Sequence, residues 1–162
     1  MTTQPLEISQ VIKPETVDLL GQDIKDKEAL LDHMISMMFK AGIVDSKQEY
    51  LQAIYEREAM GPTYMGNFIA IPHGKCEAVK NPGIAFCRCN DGVFYHTDLG
   101  GGEVKLVFML AIPARMSGEE YMRVLSQLAR LLVYPEFTDR LYKAQNYDDV
   151  VNAIKDCEKN LD

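Results

Sequence analysis

Residues 104–112 read VKLVFMLAI, an almost wholly apolar run with one lysine near its start. A run of this length is too short to cross a bilayer. It suits instead a central strand buried on both faces, as strands are when helices cover a sheet from above and below. That requirement makes the rest of the chain supply helices for two sides of a sheet.

The helices are legible from periodicity. Leu30, Leu31, Met34, Ile35, Met38 and Phe39 recur at helical spacing over residues 27–41, with Gly42 as the stop. Ser46 and Glu49 form a capping box that starts a second helix near Lys47, ending near Met60. Ser117 and Glu120 form another, ahead of a long helix through Val124, Leu125, Leu128, Leu131 and Leu132. Pro135 opens a shorter helix to about Lys143, and Asn146 caps a last one carrying Val150, Val151 and Ile154.

Strands are expected at residues 6–12, 68–71 and 83–89 and, briefly, at 93–95. In the third, Ile84, Phe86 and Arg88 should face one way and Ala85, Cys87 and Cys89 the other. Asn90-Asp91-Gly92 reads as a turn, and the glycines of residues 99–103 as a flexible connection. Strands interspersed with helices, with no linker between them, predict one α/β domain over residues 1–162: a three-layer sandwich with helices on both faces of a central sheet.

Within that frame, residues 67–75, NFIAIPHGK, place a histidine where a core strand should end. Pro72 cannot extend a ladder and Gly74 allows a tight turn, so the strand is expected to stop at Pro72 with His73 at its mouth. Ligands gather at such strand ends in α/β sheets; if the ends of strands 68–71 and 104–112 are neighbours, His73 faces the loop of residues 114–118 and the start of the Ser117 helix. A neutral imidazole is a good nucleophile and an adequate leaving group, so it can accept a phosphoryl group and pass it on. Such transfer needs in-line positioning and cationic or N–H stabilisation. Arg57, Thr63, the Gly74 N–H and the Ser117 helix start are candidates to supply it. From spacing alone Arg57 and Glu58 read more readily as a solvated pair at a helix end, and His33 as a surface or boundary residue.

Other chemistries are less well supported. The formal charge of -7 argues against a nucleic-acid surface. The segment MTTQPLEIS lacks the basic and apolar regions of a secretory signal, so a cytoplasmic protein with no membrane insertion and reduced thiols is expected. Cys87 and Cys89, with Cys76 and His73, are conceivable zinc ligands, but C-x-C is not the usual spacing and core thiols are the commoner reading, so no metal is assigned. There is no Walker loop, G-x-S-x-G or G-x-G-x-x-G.

Residues 57–75, REAMGPTYMGNFIAIPHGK, resemble the signature of the enzyme IIA domain of the bacterial phosphoenolpyruvate-dependent sugar phosphotransferase system, fructose–mannitol type (type 2). Glu58, Met65, Gly66, Ile69, Ala70, Ile71, Pro72, His73 and Gly74 fill every place of the pattern, and PTYMG is most similar to the mannitol branch. The likeness covers roughly residues 6–158. It implies a mixed sheet flanked by helices, and phosphorylation of His73 through Nε2. The donor would be the histidine-containing phosphocarrier protein and the acceptor a cysteine on a cognate IIB domain, which serves a membrane IIC permease. Arg57 would help hold the phosphoryl group, and no cofactor is implied. The family's second histidine, at the start of the long helix, is replaced by Tyr121, with His96 as the free candidate to step in. A IIA-like regulatory module, whose phosphorylation state controls a partner protein, is the alternative reading.

Overall fold

A computed structural model describes residues 7–161. The elements run α1 (Ile8–Val11), β1 (Ile12–Asp18), α2 (Lys27–Lys40), α3 (Lys47–Ala59), β2 (Tyr64–Gly66), β3 (Ile69–Ala70), β4 (His73–Cys76), β5 (Gly83–Thr97), β6 (Gly100–Pro113), α4 (Gly118–Leu132), α5 (Pro135–Lys143) and α6 (Tyr147–Glu158). The helix starts are set locally. Ser46, Ser117 and Asn146 each accept the backbone N–H of the residue three positions on, and Asp26 does the same for α2.

The sheet is mixed, in the order β1-β5-β6-β3-β2, with β4 also on β6. β6 lies at its centre, antiparallel to β5 and parallel to β3 and β4. One face carries Ile69, Ile71, Ile84, Phe86, Leu106, Phe108 and Leu110 against α1, α4, α5 and α6. The other carries Ala70, Ala85, Cys87, Cys89, Val107 and Met109 against α2 and α3. Strand alternation therefore sorts consecutive residues to opposite layers, and the expected three-layer sandwich is formed.

Four local expectations are corrected. Residues 8–11 form a helical turn, and the strand expected at 6–12 begins instead at Ile12; Leu6 lies outside the described residues. Asn90-Asp91-Gly92 makes no chain reversal: it is an irregularity inside the long β5, where the register on β6 shifts between Arg88 and Val93. The glycine run belongs to β6, and Thr97 pairs with Gly100 across a hairpin. Gly101, at φ 92°, lies so close to the opposite strand that an added Cβ would stand 2.1 Å from the Tyr95 carbonyl oxygen, so bare backbone is needed there. Lastly, Phe68 is not in a strand. Asn67 and Phe68, at φ 52° and 67°, form the two-residue turn joining β2 to β3.

Candidate functional site

Pro72 interrupts the strand that leads to His73 but does not end it. Ile69 pairs with Leu106 and His73 with Leu110, the same offset on β6, so β3 and β4 are one strand line broken at residues 71–72. The carbonyls of Phe68 and Pro72 accept N–H groups from β6, and the intervening odd-numbered residues turn their peptide groups the other way: the Ile71 N–H donates to the Thr63 carbonyl at 2.9 Å. The Ile71 carbonyl, at the outer edge, is left for the His73 ring, whose Nδ1 lies 2.8 Å away. A carbonyl can only accept, so Nδ1 carries the proton and Nε2 keeps its lone pair. Nε2 is buried and has no hydrogen-bond partner among the described residues.

By alternation from Ile69 and Ile71, the ring is on the face of α4, while Gly74 is turned to α3. Gly74 lies in the ladder opposite Ala111 and has no left-handed backbone; an added Cβ would meet Ala53 Cβ and Ile54 N of α3, each at 3.2 Å. Its role is thus close approach of helix to strand, not the tight turn expected of it.

That approach brings the end of α3 to the site. Arg57 donates from Nη1 to the Gly61 carbonyl at 2.8 Å, and its charge acts on both His73 and Tyr121. Glu58 is no solvated partner of Arg57. Its carboxylate accepts the Thr63 hydroxyl at 2.6 Å, the Thr63 N–H at 3.2 Å and the Tyr95 hydroxyl, with Lys27 Nζ 3.9 Å away. Lys27 is itself buried, 4.4 Å from the centre of the Tyr95 ring. The Thr63 hydroxyl is therefore engaged with Glu58, and Thr63 serves the site through its carbonyl, which holds Ile71. Lys27 and Tyr95 were not singled out from the sequence. Their partners lie 31 and 37 residues away, and no local pattern marks such a pairing.

Tyr121, in the first turn of α4, meets the His73 ring edge-on at 5.6 Å between centroids. The position aligned with a second histidine thus does adjoin His73. His96 does not step in, being paired with Glu28 at 2.6 Å. The four-residue zinc set is also not assembled: Cys87 and Cys89 face α2 and α3, on the opposite side of the sheet from the His73 ring.

Burial, above all, holds the His73 imidazole below its ordinary value; the Ile71 carbonyl pulls the other way, and the Arg57 charge adds to the lowering. Burial pushes the Tyr121 phenol up, against Arg57. The site thus offers a neutral imidazole with one fixed tautomer, one free lone pair and a guanidinium nearby. Such a set suits nucleophilic attack on an electrophile that carries negative charge.

The chain matches, over residues 10–157, the family described as "Phosphoenolpyruvate-dependent sugar phosphotransferase system, EIIA 2". It is 35% identical over 154 residues to the fructose-specific EIIABC component of Bacillus subtilis, spanning 95% of this chain but only 24% of that longer protein. It is 30% identical over 153 residues to the fructose-specific EIIA component of Haloferax volcanii, covering 94% of this chain and 92% of that one. The fold superimposes with a TM-score of 0.70 and 28% identity on the complex of mannitol enzyme IIA and phosphorylated enzyme IIB from Escherichia coli, covering 90% of this chain and 99% of that one. A full-length match to the family and a near-full-length relative agree with the motif and with the placement of its histidine: this chain belongs to the EIIA 2 family, the IIA phosphotransferase components of the phosphoenolpyruvate-dependent sugar phosphotransferase system.

Proposed function

We propose that His73 Nε2 is the atom that carries the phosphoryl group. The observation that supports this most directly is the division of labour in the ring: Nδ1 is tied to the Ile71 carbonyl and Nε2 has no partner. The donor is the phosphohistidine of the phosphocarrier protein. Nε2 attacks its phosphorus, the Nε2–P bond forms, and the P–N bond to the donor breaks with its electron pair returning to the donor ring. The His73 ring then carries positive charge with its proton still on Nδ1, where the Ile71 carbonyl stabilises it. Arg57 offsets the charge spread over the three phosphoryl oxygens. In the second step a cysteine thiolate of a cognate IIB domain attacks the same phosphorus, and the Nε2–P bond breaks to restore the neutral imidazole.

Nε2 is covered in this conformation, and Tyr121 is the aromatic side chain beside it. Each transfer therefore requires the side chains that cover Nε2 to move aside. Glu58, Thr63 and Gly74 are positioning residues, acting through the loop, the strand edge and the α3 contact. The pathway served is uptake of a sugar or sugar alcohol of the fructose–mannitol type, in the cytoplasm, through the IIB domain and its IIC permease. No helix among the described residues is long and apolar enough to cross a membrane.

The test is a relay from phosphoenolpyruvate through purified enzyme I and phosphocarrier to this chain, with mass mapping of the product. Label should reside on His73 and be absent from a folded His73→Ala chain. Labelling of His73→Ala at the wild-type rate refutes the assignment.

A further inference from the structure

On the face of the sheet opposite His73, three side chains with metal-binding chemistry converge from three elements, and a fourth adjoins one of them. Asp18 ends β1, His33 lies in α2, and Cys87 and Cys89 lie on β5. One donor atom from each of Asp18, His33 and Cys87 lies within 4.8 Å of the others. The Cys89 sulfur is 3.9 Å from that of Cys87 but outside this group of three, so it must turn toward His33 and Asp18 to complete a four-ligand shell. We propose that Asp18, His33, Cys87 and Cys89 bind one zinc ion, as a tetrahedral site with two sulfurs, one nitrogen and one oxygen.

The spacing that looked unusual in the sequence is explained by the strand. Positions i and i+2 point to the same face, so C-x-C on a strand presents two sulfurs side by side. Two thiolates on a tetrahedral zinc, at about 2.3 Å per bond, stand ~3.8 Å apart. The observed separation already meets that value. His33 Nε2 and Asp18 Oδ2 are hydrogen-bonded at 2.7 Å. As zinc ligands they would separate to about 3.3 Å, a shift of roughly half an ångström.

Burial is graded as an entry path requires. The two sulfurs belong to fully buried residues, whereas the side chains of His33 and Asp18 are 40% and 23% exposed. The ion would enter past the imidazole and carboxylate. Gly21 lies against the Cys87 sulfur, and a Cβ there would stand 3.1 Å from it. A disulfide is the poorer use of the pair. Cα atoms two apart on a strand are about 6.6 Å from each other, at the upper limit for that bond.

Binding forms two Zn–S bonds and breaks two S–H bonds, releasing those protons to solvent; the proton that His33 Nε2 shares with Asp18 moves to Nδ1 through solvent, which frees the Nε2 and carboxylate lone pairs for the ion. The ion would pin α2 to β1 and β5. It does not depend on the role proposed for His73.

The test uses the full chain, prepared with chelator and reductant and then titrated with Zn2+ or Co2+. Expected are one metal per chain, a thiolate-to-cobalt charge-transfer band with tetrahedral d–d bands, and a thermal midpoint raised by Zn2+. Cys87→Ser should abolish the bands. His33→Ala, at a half-exposed position that leaves the core intact, should weaken binding by more than about a hundredfold, beyond the loss of an outer-shell partner. The chain with both Cys76→Ser and Cys157→Ser should keep the full spectrum. Absence of tetrahedral cobalt bands in the wild type, or unchanged affinity in His33→Ala, overturns the proposal.

Discussion

Replacing Gly74 by alanine tests how the site is held together. The backbone at Gly74 is one that any residue adopts, so conformational entropy alone would make alanine stabilising by about 0.4–1 kcal/mol. The contacts say otherwise. The new Cβ would lie 3.2 Å from Ala53 Cβ, 3.2 Å from Ile54 N and 3.3 Å from Ala53 C. Two of these are backbone atoms of α3, which cannot rotate away as a side-chain tip can. The helix must move outward by a few tenths of an ångström, and overpacking of this kind costs about 1–3 kcal/mol. For a chain of this size each kcal/mol lowers the thermal midpoint by roughly 2–4 °C, so a fall of about 2–12 °C is expected. Because α3 also carries Arg57, phosphoryl transfer should slow in the same variant. Calorimetry and urea titration followed by circular dichroism measure the stability, and rapid-quench labelling the rate. Gly118→Ala, where an added Cβ meets nothing within 4 Å, is the control and should be neutral or slightly stabilising. A Gly74→Ala chain as stable as the wild type, or more so, refutes the close-approach argument.

Arg57→Ala should slow phosphorylation by about 10–150-fold, the loss of one charge-assisted contact at about 1.5–3 kcal/mol; an unchanged quench-flow rate would confine Arg57 to its bond with Gly61. Tyr121→His should lengthen the life of the phosphorylated chain, followed by loss of label with time, since an imidazolium there adds a cation beside the phosphoryl group. An equal or shorter life would remove that position from the phosphoryl site. The folded His73 titrates below its unfolded value of about 6.5, so below that pH the unfolded chain takes up the proton first, and stability is lost as pH falls toward the folded value. Urea midpoints at about pH 7.5 and pH 5.5 should therefore fall further for the wild type than for His73→Gln; equal falls would contradict the burial of that ring.

Features governed by near neighbours were readable in the chain. The caps at Ser46, Ser117 and Asn146 depend on a residue three positions on, and the sorting of residues 84–89 onto two faces depends only on the strand period. Misreadings arose where local chemistry met a long-range constraint. Asn90-Asp91-Gly92 has turn chemistry, but β6 holds β5 on both sides of it, so the tendency is spent on a register shift. The glycines before Val104 looked like slack, yet Gly101 is required by the backbone of the facing strand, where an added Cβ would meet the Tyr95 carbonyl. At the site, His73 and Arg57 stand within one recognisable motif. The Lys27–Glu58–Tyr95 cluster, joined from three separate elements, had no such mark.

The single unpaired nitrogen of His73 has a kinetic consequence. The ring's other nitrogen is committed to Ile71, Tyr121 stands beside it, and the helix packed on Gly74 fills the far side of the sheet. A donor and an acceptor would have to reach phosphorus along one corridor, so neither can dock productively while the other remains. The proposed relay is thereby a double displacement, with parallel lines in double-reciprocal plots, and excess acceptor should compete with the donor for the unloaded chain.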